Sequence, residues 1–268
     1  MVDQPIIMGV LNITPDSFSD GGLFFEAQSA IDQAVLMVEQ GADIIDIGGE
    51  STRPGAPEVS AEDELKRVLP VIEALSGNID VPISIDTSKP VVMEKAFDAG
   101  ASIINDVYAL RSEGALEMAA SLGADVCLMH MQGNPRTMQK NPKYDDVVSD
   151  VKIFFIERLE ACSGVGIKLE SITLDPGFGF GKNLAHNIAL LKNLAEFHDF
   201  GVSILAGLSR KSMIGSLLGD KEVDSRMIGS VTAALIAVEN GANIIRAHDV
   251  AETKDALTVW QQIKHFRE

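Results

Sequence analysis

The chain has 268 residues, 46% hydrophobic and 23% charged, the balance of an ordinary soluble globular protein. A net charge of −17 argues against nonspecific nucleic-acid binding, which needs a basic face, and no apolar run approaches the ~18 residues of a membrane span. Cysteine occurs only at positions 127 and 162, which gives neither a disulfide framework nor a zinc spacing and fits a reducing, cytoplasmic setting.

The opening Met1-Val2-Asp3-Gln4-Pro5 has no basic segment followed by an apolar one, so no secretory signal is expected. In chain order, apolar β-branched runs predict strands at 5–12, 43–48, 82–86, 102–106, 125–130, 171–175, 202–207 and 243–247. Amphipathic stretches predict helices near 27–40, 61–76, 90–99, 113–122, 145–164, 186–197, 224–240 and 252–266. Ser60 before Ala61-Glu62-Asp63, and Pro90 in a first turn, read as helix starts. One unit recurs: Gly41-Ala42-Asp43-Ile44-Ile45, Gly100-Ala101-Ser102-Ile103-Ile104, Gly123-Ala124-Asp125-Val126 and Gly241-Ala242-Asn243-Ile244-Ile245. Each copy reads as a helix, a glycine stop and a strand buried on both faces. Repetition of that unit predicts a parallel α/β fold, with a Rossmann-like open sheet as the alternative. About eight pairs in a length near the ~250 residues typical of such barrels favour a (β/α)₈ TIM barrel, one domain over 1–268.

The strand ends are polar. The runs finish in Asn12, Asp46 with Gly48 and Gly49, Asp86, Asn105 with Asp106, His130, Asp175, Gly207, and Arg246 with His248. In a closed barrel these positions form one rim, where active sites of this architecture are built. The connections 13–26 and 49–60, after strands 1 and 2, are long and rich in Gly, Pro, Ser and Asp. Both are expected to overhang the rim as lids, with Phe18, Phe24 and Phe25 available to pack. The glycines from Gly177 to Gly181 have neither Walker A nor Gly-x-Gly-x-x-Gly spacing, so they read as close backbone approach to a ligand.

The ordered motifs carry a resemblance. Met8 to Gly22, with Asn12-Ile13-Thr14-Pro15-Asp16-Ser17-Phe18, and Asp46-Ile47-Gly48-Gly49-Glu50-Ser51-Thr52-Arg53-Pro54-Gly55 resemble the two signatures of the dihydropteroate synthases, in the pterin-binding barrel family. Ile85-Asp86-Thr87, Ile104-Asn105-Asp106, Leu128 to Gly133, Asp175-Pro176-Gly177-Phe178-Gly179-Phe180-Gly181-Lys182, Ser209-Arg210-Lys211-Ser212 and Arg246-Ala247-His248-Asp249-Val250 follow in the family's order. The resemblance implies a transferase of folate synthesis, joining 7,8-dihydropterin-6-ylmethyl diphosphate to p-aminobenzoate with release of pyrophosphate.

A pterin presents a flat, guanidine-like edge, and buried carboxylates and amides suit it, because an unpaired polar group in a dry pocket costs ~1–3 kcal/mol. The resemblance makes Asp86, Asn105 and Asp175 the ligands of that edge. It sets Met129 and Gly207 in the pocket wall, Lys211 against the ring and Arg246 on its face. It assigns the diphosphate to Asn12, Arg246 and His248, with Asn12 helping to hold Mg²⁺. For p-aminobenzoate it implies Phe180 and Pro54 around the ring, with Thr52, Lys211 and Ser212 nearby and Arg53 completing the site on loop closure. Ser212, opening a helix, would offer N–H and hydroxyl to the carboxylate. Because sulfonamides mimic p-aminobenzoate in this family, resistance would be sought near Thr52, Pro54, Phe180 and Ser212. The implied chemistry is dissociative, with Asp86 and Asp175 supporting a pterin-methyl cation while Arg246 and His248 stabilise the departing charge. Asp86→Asn and Arg246→Ala are each expected to lose most activity while remaining folded. A homodimer is expected by family analogy.

Three rivals share parts of this reading. A pterin carrier without the reaction would have eroded Thr52, Arg53, Pro54, Phe180, Lys211 or Ser212, and none is eroded. A pterin-dependent methyltransferase barrel works with a corrinoid domain that this chain lacks. A Schiff-base aldolase would use Lys211, which follows Arg210 in a loop and reads better as a charged binding group.

Overall fold

A computed structural model of the chain describes residues 4–13, 22–52, 55–135 and 137–266, with 22–26 in backbone only. The elements alternate: β1 (Ile6–Asn12), α1 (Gly22–Glu39), β2 (Ile44–Gly48), α2 (Ala61–Leu75), β3 (Ile83–Asp86), α3 (Pro90–Ala99), β4 (Ile103–Asp106), α4 (Ala115–Leu122), β5 (Asp125–Met129) and α5 (Val147–Gly164). The second half continues with β6 (Ile172–Asp175), α6 (Leu184–Lys192), β7 (Ser203–Ala206), α7 (Ser212–Leu217), α8 (Met227–Glu239), β8 (Ile244–Ala247) and α9 (Val250–His265). All eight strands are parallel and pair in sequence order, and β8 closes on β1 through Ile6↔Ile244 to Gly9↔Ala247. This is the (β/α)₈ TIM barrel expected, and the open-sheet alternative falls with the closing pair.

The pleat sorts residues into two cores. Ile7, Leu11, Ile45, Ile47, Ile85 and Ile104 belong to the large core with the helices, which includes Val68, Ile72, Met93 and Phe155. Met8, Ile44, Cys127, Leu205 and Ile244 form a second apolar cluster at the foot of the barrel. The repeated glycines Gly41, Gly100, Gly123 and Gly241 have φ of 98°, 120°, 62° and 110°, the conformation a side chain resists. Ser60 caps α2, its Oγ accepting from the Asp63 amide at 3.1 Å. Both cysteines are free and buried.

Three expectations shift. The helix expected at 186–197 splits into α6 and a 3₁₀ segment, Leu194–Phe200. At the break Asn193 turns its side-chain amide onto the Ala189 carbonyl at 2.8 Å, a local bond that competes with helix continuation. The six-residue α7 begins at Ser212, which reads from the sequence as opening a helix but has no helical range there, and α1 begins at Gly22, which shortens the first long connection. Arg53, Pro54 and most of the first expected lid lie outside the described residues.

Candidate active site

Above the apolar foot the barrel interior turns polar. Asp46, fully buried on β2, accepts from Ser84 Oγ on β3 at 2.6 Å, Asn105 Nδ2 on β4 at 3.0 Å and Arg246 Nε on β8 at 2.6 Å. Arg246 reaches on through Nη2 to Asp86 at 2.8 Å. Four strands are thereby cross-linked by one charge network. Burial opposes the Arg246 charge, but Asp46 and Asp86 outweigh it and hold the guanidinium above its ordinary range. Burial pushes Asp86 up to about 7 against the pull of Arg246. Nε and one Nη2 hydrogen are committed to carboxylates, which leaves Nη1 and the second Nη2 hydrogen for a ligand.

Asp175 ends β6 beside Met129, and its Oδ1 accepts from the Gly177 amide at 2.7 Å. Burial raises its carboxyl above the usual range, while Lys211 and that amide oppose the rise. Lys211 stands at the N-terminus of α7, donates to the Phe178 carbonyl, and lies over the Phe180 ring at 4.6 Å. Burial pulls its amine down to about 8 against the attraction of Asp175. Met129 packs with Val107, Met131, Met138 and Phe180 into an apolar wall. Two glycines keep the mouth open. A Cβ on Gly207 would stand 3.8 Å from both Arg246 Cβ and Lys211 Nζ. One on Gly48 would stand 3.5 Å from Asp86 Cβ and 3.7 Å from Asn12 Oδ1. The strand ends thus bring together carboxylates and an amide (Asp86, Asp175, Asn105), two cations (Arg246, Lys211) and a methionine-lined apolar cluster.

The outer rim carries the remaining residues. His248 leaves β8, and both its amide and Nδ1 lie on Ser209 Oγ, at 3.2 and 3.0 Å. Its neighbour Asp249 takes Arg210 in a two-pronged pair, 3.1 and 2.5 Å. Asn12, Asp86, Asn105, Met129, Asp175, Gly207, Lys211 and Arg246 all face the mouth. The residues expected around p-aminobenzoate fall in two groups. Phe180, Lys211 and Ser212 lie on the β6–β7 side. Thr52 opens instead onto a cavity of about 390 Å³ shared with Asp86, Lys89, Tyr108 and Asn134. The base of that second connection is pinned: Arg67 Nη1 holds the Gly49 carbonyl at 2.7 Å, and Lys89 bridges Glu50 and the buried Glu64.

Sequence reasoning gave no role to Asp46, Lys89 or Lys182. For Asp46 a signal existed, since a carboxylate inside Ile44-Ile45-Asp46-Ile47 must be paired when the run is buried.

A model of the pterin binding enzyme family matches residues 8–248, from β1 to His248. The dihydropteroate synthase of Escherichia coli K12 is 56% identical over 260 residues, 96% of this chain and 91% of that protein. The Haemophilus influenzae dihydropteroate synthase is 57% identical over 257 residues, 96% and 93% of the two chains. Among solved structures, the Yersinia pestis dihydropteroate synthase in a sulfonamide drug complex superposes with a TM-score of 0.94 at 51% identity, covering 99% of this chain and 96% of that one. The Xanthomonas albilineans dihydropteroate synthase in complex with 7,8-dihydropteroate gives 0.91 at 47% identity, covering 100% and 96%. Matches of this extent, over a barrel whose mouth holds the motif residues together, make the chain a member of the pterin binding enzyme family, among the dihydropteroate synthases.

Proposed function

We propose that this chain joins 7,8-dihydropterin-6-ylmethyl diphosphate to p-aminobenzoate, giving 7,8-dihydropteroate and pyrophosphate, a transferase step of folate synthesis. The observation that carries the reading is the convergence of Asp86, Asn105, Asp175, Lys211 and Arg246 at the strand ends, a buried or half-buried polar set that suits a flat ligand with a donor-rich edge. An isolated carboxylate is expensive in such a place, and a guanidine-like edge supplies the donors that offset the cost.

The reaction we infer is dissociative. The C–O bond to the diphosphate breaks and its electron pair leaves with the diphosphate oxygen. The pterin-methyl cation is delocalised over the ring and held by Asp86 and Asp175. Arg246, His248 and Asn12 receive the departing charge. The neutral amine of p-aminobenzoate then forms the C–N bond and loses its proton to solvent or to the departing diphosphate. Phe180 supplies a ring face, and Lys211 and Ser212 meet the carboxylate, with Thr52, Arg53 and Pro54 brought in by the second connection.

Mg²⁺ is part of the proposal. Asn12 Oδ1 is a hard oxygen donor at the mouth, and among the described residues no cluster of three His, Cys, Asp or Glu side chains is placed to hold a metal. That donor set fits an ion that takes most of its ligands from diphosphate and water. When bound, it would supply neutralisation of diphosphate charge.

A homodimer is likewise proposed, supported by Ile228, Ile236, Val259 and Ile263, which project from α8 and α9 with 76, 45, 58 and 72% exposure. A cytoplasmic setting is supported by the two buried free thiols.

The test is pyrophosphate release by purified protein with Mg²⁺ and the dihydropterin diphosphate, with and without p-aminobenzoate. Stoichiometric release and dihydropteroate formation that depend on p-aminobenzoate are expected. Tight pterin binding without product would replace the reading with a noncatalytic pterin binder.

A further inference from the structure

Lys182 lies behind the glycine-rich segment that follows β6, with only 3% of its surface exposed. Its Nζ stands 2.9 Å from His130 Nδ1, 3.2 Å from the His130 carbonyl, 2.9 Å from that of Gly177 and 3.0 Å from that of Phe180. Among the described residues no carboxylate pairs with it. Burial drives the His130 imidazole down to about 2, so its ring is neutral, and in the Nε2–H tautomer Nδ1 offers a lone pair to Lys182. Four acceptors therefore converge on one amine. The ammonium form meets them with three N–H donors, whereas a neutral amine would turn its own lone pair toward an acceptor. Burial pulls the Lys182 amine well below its ordinary range, Asp175 opposes, and the Lys211 charge adds to the fall. A residue placed at such cost is explained by what it holds.

It holds two strand ends together. His130 follows β5, and Gly177 to Phe180 follow β6. At Gly177, with φ of 72°, a Cβ would stand 1.9 Å from the His130 carbonyl, so the two segments approach more closely than any side chain permits. The outer face of the segment is tied by Tyr144 Oη to the Gly181 carbonyl at 2.8 Å and by the Gly179 amide to Asn187 Oδ1 at 2.8 Å. Lys182 is the inner tie, and its contact with the Phe180 carbonyl acts on the residue whose ring lies under Lys211.

We propose that Lys182 is a positioning residue, whose ammonium fixes the segment after β6 so that Phe180 presents its ring to the aromatic amine substrate. This rests on the synthase reading above. The role predicts a selective effect. In Lys182→Met, KM for p-aminobenzoate should rise about tenfold or more, with kcat and KM for the dihydropterin diphosphate within about threefold. In a Phe180→Ala background the same change should add less than about twofold, because the ring being positioned is gone. Amide hydrogen exchange of the 176–182 segment should quicken about tenfold while β1 to β5 keep their protection.

Equal rises in both KM values, multiplicative effects in the double variant, or unchanged exchange would each overturn the proposal. Lys182→Gln keeps two donors and serves if the methionine variant does not fold, with a smaller change in the same direction. If neither variant folds, Lys182 is a structural element only and the proposal fails. A wild-type protein without synthase activity would defeat the synthase reading, and the exchange measurement would still decide whether Lys182 fixes the segment.

Discussion

Asp46 and Arg246 are separated by 200 positions in the chain and by 2.6 Å in the barrel. Arg246→Ala would leave Asp46 and Asp86 without their shared cation, and breaking a buried pair in this way costs ~3–5 kcal/mol. The sequence reading expects this variant to lose activity and stay folded. The network adds a second expected outcome, a clear drop in the urea midpoint together with loss of pyrophosphate release. Asp86 gives a pH signature. Its ordinary value is 3.8 and its folded value about 7, so between these the folded state keeps a proton that the unfolded chain has released. Its contribution to stability is therefore greatest below 3.8, falls as pH rises through the window, and is level above about 7. Asp86→Asn lacks this term, so its melting temperature relative to wild type should improve from about pH 4.5 to about pH 7.5. A difference that stays constant with pH would mean the carboxyl is not raised.

At the scale of elements, the strands were legible almost to the residue. A strand buried on both faces opens as a β-branched apolar run and meets polar or glycine positions near its end, as Ile44-Ile45, Ile103-Ile104 and Ile244-Ile245 do in β2, β4 and β8. Helices were less legible where side chains interfere locally. Asn193 breaks the span after α6 with a side-chain bond that periodicity does not register, and α7 is too short to display a period. The site was legible where its residues end strands. It was not legible where the role depends on register or burial. The apolar run around Asp46 signals a paired carboxylate but does not name its partners, and a lysine in a glycine-rich loop reads as a solvated charge, as at Lys182. Caps belong to this scale as well. Ser60→Ala removes the oxygen that accepts from the Asp63 amide, and should cost about 1 kcal/mol of stability in denaturant titration with turnover unchanged.

For the whole molecule, a charge of −17 opposes an incoming diphosphate, while Arg246 and Lys211 gather at the mouth. Screening acts over a Debye length of roughly 8–10 Å, so salt weakens the distant repulsion more than the half-buried contacts. The association rate of dihydropterin diphosphate should therefore rise as ionic strength increases toward about 0.15 M, measured by stopped flow. A falling rate would mean that the local cations dominate. The apolar projections of α8 and α9 make a second prediction at this scale: in sedimentation velocity the wild type should run as the proposed dimer and Ile228→Glu with Ile263→Glu as a monomer. The closing pair of β1 and β8 has a further consequence. During vectorial synthesis β8 leaves the ribosome after seven other strands, so Arg246 meets Asp46 and Asp86 only when the ring shuts. A nascent chain that binds its ligand has therefore completed its topology. By mass action any molecule that occupies the mouth, substrate or inhibitor, acts as a folding ligand, lowering the fraction of open chains exposed to proteases.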